Sequence, residues 1–445
     1  MFGTDGVRGV ANTELTNELA YKLGKYGAHV ITNGKKKSKI LIAKDTRISG
    51  DMLESAMIAG ILSSGCNVIK IGVLPTPAVA YLVRYLNADA GIMISASHNP
   101  VEFNGIKFFN SEGYKLSDEI ENEIEEYIIG DKRFDHKIYG SEIGRKSSNF
   151  ECLDIYGDYI KSTIDLPLNN VKIALDCANG AASVIAPKTL ESLGAEVIAI
   201  SNEPNGLNIN VNCGSTSPEN IQRLVIKSKA DIGLAFDGDA DRLIAVDEKG
   251  ELVDGDKIMA ICGNYLKSIN ALKDNTIVST VMSNIGFDVA LKENNLNTIK
   301  TSVGDRYVLE EMKKNNYSLG GEQSGHIIFL EHNTTGDGLL SGVQLINAML
   351  NSGKKLSELA NIMTTYPQIL INAKVENSNK HNYESNEEIR NEINKVTEYF
   401  EGKGRVLIRP SGTEPLVRVM IEGKDTEEIK KYAEELVKLI EDKLN

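Results

Sequence analysis

GIMISASHNP, at residues 91–100, is a short apolar run that passes at once into two serines, a histidine, an asparagine and a proline. Gly91 to Ile94 has the composition of a buried strand, and parallel α/β sheets place their chemistry where such strands end. Ser97 is therefore a candidate reactive residue, with His98 beside it and Pro100 restricting the backbone of Asn99. No G-x-S-x-G elbow surrounds it, so a hydrolase nucleophile of that type is not indicated.

Outward from this stretch, strands and amphipathic helices alternate. The spacing predicts a helix over 14–30, a strand over 39–44, a helix over 51–64, a strand over 66–71 and a helix over 77–85. That order predicts a mostly parallel sheet with helices on both faces. The opening GTDGVRG, residues 3–9, reads as turn-forming. Its Arg8 suits either a phosphate contact or an untidy N-terminal loop. After Pro100, Asn104-Gly105 is a turn signal and is followed by Lys107. Residues 117–129 form an acidic helix, and 131–149 are polar and poorly periodic, which puts a first boundary near 150.

A second α/β unit follows, with strands at 172–176, 195–200 and 231–236, a helix at 182–193 and Pro218 opening another helix. A third begins near 254, with strands at 276–282 and 327–330 and helices from about 287, 307 and 337. The last starts near 369 and runs strand, helix, strand, strand, helix. The units are similar in size, but no short-period repeat joins them.

The chain has 445 residues, 41% hydrophobic and 25% charged, which is ordinary globular material and too long for one core. Its formal net charge is -13, and the one dense basic run, Lys35 to Lys39, reads as a solvated loop. That argues against nucleic-acid binding, which needs a concentrated basic surface. The five cysteines form no C-x-x-C pair and sit among apolar residues, so buried thiols are expected. With no leader and no apolar run near the ~20 residues of a membrane helix, a cytoplasmic protein is expected.

Three further segments carry chemistry. Asp237-Gly238-Asp239-Ala240-Asp241-Arg242 aligns three carboxylates at alternate positions, on one side of the chain if it is extended. Their hard oxygen ligands suit Mg²⁺. An EF-hand loop, with Glu248 at position twelve, lacks the glycine at position six, and a solvated acidic turn is the plainer alternative. Arg409-Pro410-Ser411-Gly412-Thr413-Glu414-Pro415, with Arg418 beyond it, has the donors of a phosphate site, although a rigid surface turn has the same composition. Glu322, Ser324 and His326, on a glycine-flanked loop, suit sugar hydroxyls or an amine.

The ordered set GTDGVRG (3–9), KDTRISG (44–50), ISASHNP (94–100), DGDADR (237–242), VGDRYV (303–308), GGEQSGH (320–326) and RPSGTEP (409–415) resembles the α-D-phosphohexomutases over essentially the whole chain. The resemblance implies an α/β protein of four domains around a central cleft. Three are related α/β/α domains with mixed sheets, and the last is a smaller C-terminal α+β domain. Their expected roles are phosphoserine (1–150), metal (151–253), sugar recognition (254–368) and phosphate binding (369–445). It implies Ser97 as the phosphoryl carrier, and Asp237, Asp239 and Asp241 as ligands of one Mg²⁺ with the Ser97 phosphoryl oxygen. Glu322 and Ser324 are implied as the sugar contacts. Arg409, Ser411, Gly412, Thr413 and Arg418 are implied as the clamp on the substrate's phosphate.

Gln323 favours the branch acting on glucosamine phosphates, because relatives acting on mannose or glucose phosphates commonly carry an apolar residue there. The implied reaction passes the phosphoryl group from Ser97 to O1 of glucosamine 6-phosphate. The resulting glucosamine 1,6-bisphosphate, which also primes the enzyme, turns over and returns its 6-phosphate to Ser97. Arg8 and Arg242 would offset the charge, with His98 or Lys107 handling the proton near Ser97 and His326 near the sugar. The expected partner is a small sugar phosphate, with neither nucleic acid nor membrane, bound by a monomer or homodimer that supplies amino sugar for the cell wall. Rival readings are a phosphomannomutase or phosphoglucomutase, a Mg²⁺-dependent phosphatase, and a non-catalytic sugar-phosphate-binding protein.

Overall fold

Ile40, Leu41, Ile42 and Ala43 have no exposed surface, and the strand they form lies inside the first of four sheets among the described residues. The computed structural model describes residues 1–3, 5–130, 132–134, 137–411 and 414–445. These fall into two compact units, Met1–Met282 with Asn295–Ile362, and Ser283–Asn294 with Met363–Asn445.

In the first unit the chain begins β1 (Val7–Val10), α1 (Asn17–Ile31), β2 (Lys39–Lys44), α2 (Ser49–Ser63), β3 (Asn67–Val73), α3 (Thr76–Tyr85) and β4 (Ala90–Ile94). It continues with β5 (Phe103–Asn110), α4 (Asp118–Ile128) and β6 (Lys146–Ser148). The sheet order is β1-β5-β4-β2-β3-β6. Strands β4, β2, β3 and β6 run parallel, while β5 is antiparallel to both β4 and β1. Leu23, Leu53, Met57 and Ile61 from α1 and α2 join Ile40, Ile42, Ile92 and Ile94 in one buried cluster. Full burial of each such side chain is worth about 1.5–3 kcal/mol.

Two expectations fail here, for one reason. Asn104-Gly105 is not a turn, and Val7 to Val10 is not a loop; the two segments pair with each other as strands. Gly105 serves close packing instead, because a Cβ there would stand 2.4 Å from the Ser95 carbonyl oxygen. The polar tract before 150 also contains a strand, β6, which is exposed and pairs with β3, where Ser147 Oγ also donates to the Val68 carbonyl at 3.4 Å.

The second sheet is built by α5 (Cys152–Lys161), β7 (Lys172–Asp176), α6 (Ala182–Ser192), β8 (Glu196–Ile200), α7 (Glu219–Ser228), β9 (Ile232–Phe236), β10 (Leu243–Asp247) and β11 (Leu252–Val253). Its order is β11-β10-β9-β7-β8. The third is built by α8 (Gly255–Ser268), β12 (Thr276–Thr280), β13 (Asn297–Thr301), α10 (Asp305–Asn315), β14 (Leu319–Gly321) and β15 (Ile327–Phe329), while α9 (Ile285–Glu293), between β12 and β13 in the chain, belongs to the second unit. This third sheet is ordered β13-β12-β14-β15 and is followed by α11 (Gly338–Ser352) and α12 (Leu356–Ala360).

The second unit is a three-stranded antiparallel sheet, β16 (Gln368–Lys374), β17 (Gly404–Pro410) and β18 (Leu416–Gly423), in the order β16-β18-β17. Helices α13 (Glu387–Phe400) and α14 (Thr426–Leu444) pack on it. Asp425 caps α14 through the backbone N–H groups of Glu427 and Glu428. Ile429, Ala433, Leu436, Ile440 and Leu444 then recur at helical spacing and are buried. No helix among the described residues is long and apolar enough to cross a membrane. All five cysteines are free and buried, as their apolar surroundings predict.

Candidate active site

Every residue of β4 is buried, and the chain leaves it directly into the Ser97 loop. Ser97 is 1% exposed and has φ 52°, the left-handed region that a serine enters only when its surroundings impose it. Its Oγ donates to Asp237 Oδ2 at 2.5 Å and lies 3.3 Å from His98 Nδ1. The nucleophile candidate from the first sheet thus meets the metal candidate from the second.

The segment from Asp237 to Arg242 is not extended as its spacing suggested. Ala240 N–H bonds back to the Asp237 carbonyl at 3.1 Å, and Ala240 itself has φ 55°. This turn gathers the three carboxylates more tightly than an alternating strand would, with one oxygen from each within 4.8 Å of the others and all three residues buried. Gly238 permits the approach, since a Cβ there would stand 2.5 Å from the Ser97 carbonyl oxygen.

Asp239 Oδ2 accepts from Thr76 Oγ1 at 2.5 Å and from Lys107 Nζ at 2.8 Å, and Asp241 Oδ2 accepts from Lys107 at 3.4 Å. Among the described residues Asp239 Oδ1 and Asp241 Oδ1 are buried without a hydrogen-bond partner, with Arg242 Nε 4.0 Å from Asp241 Oδ1. Burial, then the charges of Asp241 and Asp239, pushes the Asp237 carboxyl well above the usual range. Burial acts the same way on Asp239, but the Lys107 ammonium overcomes it and holds that group low. Bare oxygens and mutual repulsion at a buried all-carboxylate site fit a hard divalent cation such as Mg²⁺.

Lys107 is itself gripped by Asp239, Asp5 at 2.9 Å and Asp241, which outweigh burial and hold its proton far above the ordinary lysine range. It is a fixed cation. The other group expected near Ser97, His98, has Nδ1 3.3 Å from Ser97 Oγ. Burial, then Arg242 and Arg8, lowers its pKa and keeps it neutral at pH 7.

From Lys107 an alternating chain of charges continues through Asp5, Lys115 and Asp305 to His326 Nε2, 3.5 Å from Asp305. Arg8 pairs with Asp5. Asp5, Lys115 and Asp305 were not singled out from the sequence. The two aspartates stand in the glycine-bearing segments 3–9 and 303–308, which was the available signal; Lys115 stands in an unremarkable helix approach.

The tight turn between β14 and β15 carries Glu322 to His326. Glu322 Oε1 accepts from the Gly304 N–H at 3.1 Å, and His326 Nε2 accepts from the Gly336 N–H at 3.2 Å. Among the described residues His326 Nδ1 is buried without a hydrogen-bond partner, and residue 326 forms an isolated β-bridge with Arg242. A cavity of about 440 Å³ is lined by Asp5, Arg8, Asp241, Arg242, Glu322 and His326, among others. Gln323 and Ser324 lie outside that lining. Gln323 donates to Asp254 Oδ2 at 3.2 Å, beside the cap of α8, so it marks the loop without touching the cavity.

In the second unit, Arg409 and Arg418 are direct cross-strand partners on β17 and β18. Burial and then the Arg418 charge lower the pKa of Arg409, a mutual repulsion that an anion would relieve. Glu414 pairs with Arg418 at 3.1 Å, and Ser411 Oγ accepts from the Glu414 N–H at 3.2 Å. Gly412 and Thr413 lie outside the described residues.

Models of the phosphoglucomutase/phosphomannomutase family match residues 1–133, 154–250 and 254–366 as its alpha/beta/alpha domains I, II and III, and residues 370–439 as its C-terminal domain. The chain belongs to this family, with its four-domain architecture of three α/β/α domains and a C-terminal one. Within the family it is 59% identical over 445 residues to phosphoglucosamine mutase of Clostridium novyi (strain NT), covering 100% of this chain and 99% of that one. It is also 59% identical over 446 residues to phosphoglucosamine mutase of Alkaliphilus oremlandii (strain OhILAs), at the same coverage.

Among solved structures, a phosphoglucomutase/phosphomannomutase family protein from Burkholderia thailandensis superposes with a TM-score of 0.81 at 22% identity, covering 100% of this chain and 99% of that one. Aspergillus fumigatus N-acetylphosphoglucosamine mutase, in complex with GlcNAc-6P and magnesium, superposes with a TM-score of 0.71 at 17% identity, covering 100% and 96%. At these identities the superpositions speak for the fold alone.

Proposed function

We propose that the protein interconverts glucosamine 6-phosphate and glucosamine 1-phosphate, carrying a phosphoryl group on Ser97 and passing through a bound glucosamine 1,6-bisphosphate. The observation that carries this reading is the 2.5 Å contact between Ser97 Oγ and Asp237 in a buried three-aspartate cluster. It places a nucleophilic oxygen against a cation site, which phosphoryl transfer needs and simple sugar binding does not. Full-length identity to phosphoglucosamine mutases supplies the choice of amino sugar.

Asp237, Asp239 and Asp241 would hold Mg²⁺, which when bound neutralises charge on the transferring phosphoryl group. The chain's own groups do the rest. Arg8 and Arg242, which line the cavity, would share the charge that builds up on the phosphoryl oxygens in transfer. Lys107 keeps two of the aspartates in place from behind. His98, neutral and 3.3 Å from Ser97 Oγ, exchanges the serine proton as the ester bond forms or breaks. Glu322 and Ser324 orient the sugar, and His326 handles the proton of the sugar hydroxyl. Arg409, Ser411 and Arg418, with Gly412 and Thr413, hold the phosphate that is not reacting.

We assign residues 1–150 to the phosphoserine domain, 151–253 to the metal domain, 254–368 to sugar recognition and 369–445 to phosphate binding. The reaction belongs in the cytoplasm, in the supply of amino sugar for UDP-N-acetylglucosamine and the cell wall. Initial rates with glucosamine, glucose and mannose 6-phosphates test the choice of sugar. Each assay contains Mg²⁺ and a trace of the matching 1,6-bisphosphate. The highest kcat/KM is expected for the amino sugar; a preference for either neutral sugar would move the protein to the phosphoglucomutase or phosphomannomutase branch.

A further inference from the structure

One buried ion pair holds both backbone groups of Ser97. Asp45 and Arg47, at the end of β2, have side chains with 0% exposure and pair at 2.9 Å. On one side, Ser95 Oγ donates to Asp45 Oδ2 at 2.6 Å and accepts the Ser97 N–H at 3.0 Å. On the other, Arg47 Nη2 donates to the Ser97 carbonyl at 2.9 Å and to the Asn99 carbonyl at 2.8 Å. Its Nη1 donates to the carbonyls of Pro100 and Phe103 at 2.5 and 3.1 Å. A planar fork of five donors suits this pattern, and an ammonium with three donors cannot reproduce it.

The second sheet adds one more hold. Asn210 Nδ2 donates to the same Ser97 and Asn99 carbonyls at 2.9 and 3.1 Å. The segment that carries Arg47 is itself fixed to the metal domain. Thr46 Oγ1 donates to the Asn179 carbonyl at 2.6 Å, and Ile48 N–H to the Gly206 carbonyl at 2.9 Å. Within the loop the Asn99 N–H closes a turn onto the Ala96 carbonyl at 3.1 Å, and these side chains hold that turn from outside, with Ser97 at φ 52° and its Oγ on Asp237.

We propose that Asp45 and Arg47, relayed through Ser95, are the positioning residues of the nucleophile: they fix the left-handed turn at Ser97 and so its distance from the metal cluster. Neither lines the cavity of about 440 Å³ nor belongs to the three-aspartate cluster. The proposal rests on Ser97 being the phosphoryl carrier.

The test is the rate at which Ser97 is charged. Glucose 1,6-bisphosphate with Mg²⁺ donates a phosphoryl group: one sugar O–P bond breaks, the Ser97 O–P bond forms, and the serine proton ends on the released sugar oxygen. Intact mass follows the phosphoserine. Thermal melting, run in parallel, corrects for folded protein. The Ser95→Ala variant leaves the ion pair whole and removes only the relay. Charging and kcat are expected to fall about tenfold in it, and about 100-fold in Arg47→Lys, the scale of a ~1 Å misplacement. KM for glucosamine 6-phosphate stays within about twofold of wild type, because only the transferring group is misplaced.

Charging at the wild-type rate per folded molecule in both variants would overturn the proposal. So would a fall in kcat matched by an equal rise in KM, which is the mark of a general structural loss. A wild-type protein that takes no phosphate on Ser97 would instead overturn the assignment of the carrier.

Discussion

Lys107 and Asp239 form an ion pair at 2.8 Å in which the lysine side chain is 1% exposed and the aspartate 0%. The ammonium holds two of the three clustered carboxylates, Asp239 and Asp241, and among the described residues Asp239 Oδ1 and Asp241 Oδ1 have no hydrogen-bond partner. The cluster is built to be completed by a cation.

Removing divalent ions with a chelator is therefore expected to abolish turnover and lower the melting temperature. Restoring Mg²⁺ at about 100 times its dissociation constant should return roughly 2.7 kcal/mol of stability. Asp239→Asn should raise the Mg²⁺ concentration for half-maximal rate while leaving KM for the sugar phosphate nearly unchanged. Mg²⁺ titrations of rate and of melting temperature measure both.

Ser97→Ala removes the hydroxyl and its bond to Asp237 without disturbing the backbone groups that hold the loop. Mutase activity is expected to fall to background with the melting temperature within a few degrees of wild type. Near-normal turnover in that variant would rule out a phosphoserine.

Much of this site stands in the sequence because it is local. A strand ending in serine and histidine, alternate aspartates and an arginine-serine-glycine turn each declare their chemistry within seven residues or fewer. What stayed hidden is long-range. Asp45, Arg47 and Lys115 act by reaching other segments, and nothing at their own positions shows the target; Lys107 is legible as a group near Ser97, but its hold on Asp5, Asp239 and Asp241 is not. The same holds for the fold. Strands made of apolar runs, such as 39–44, 91–94 and 172–176, are legible to within a residue or two. Asn104-Gly105 misled because its local turn preference yields to pairing with β1 and to close packing on Ser95. The Asp237 turn misled in the opposite sense, since spacing alone cannot show that Ala240 bends the chain.

Burial pushes the Cys262 thiol up to about 12 from an ordinary value of 9.0. In the unfolded chain it ionises near 9.0, so this contribution to stability is complete below pH 9 and is lost as pH rises toward 12. The expected slope is about 1.4 kcal/mol per pH unit for such a group. Denaturant midpoints from pH 8 to pH 11 should fall, and fall less steeply in Cys262→Ala. Thiol reagents at pH 8 should modify the native protein slowly and the denatured protein at once, because Cys152 and Cys213 are also raised, to about 11.

Glu422, fully buried on β18, accepts from Arg405 Nη2 at 2.8 Å, the Ile285 N–H at 3.1 Å and Asn284 Nδ2 at 3.3 Å. It ties residues 283–294 to the C-terminal sheet within the second unit. Glu422→Ala should cost that unit about 3–5 kcal/mol, the usual effect of breaking a buried ion pair. Limited proteolysis should then cut residues 363–445 well before the remainder of the chain.

The most direct measurement is phosphorus NMR of glucosamine 6-phosphate incubated with the wild-type protein, Mg²⁺ and a trace of glucosamine 1,6-bisphosphate. The 6-phosphate signal should decline to an equilibrium as the 1-phosphate signal grows, with total phosphate ester constant and no inorganic phosphate released. Steady release of inorganic phosphate without the 1-phosphate, or no change at all, would contradict a phosphoserine mutase.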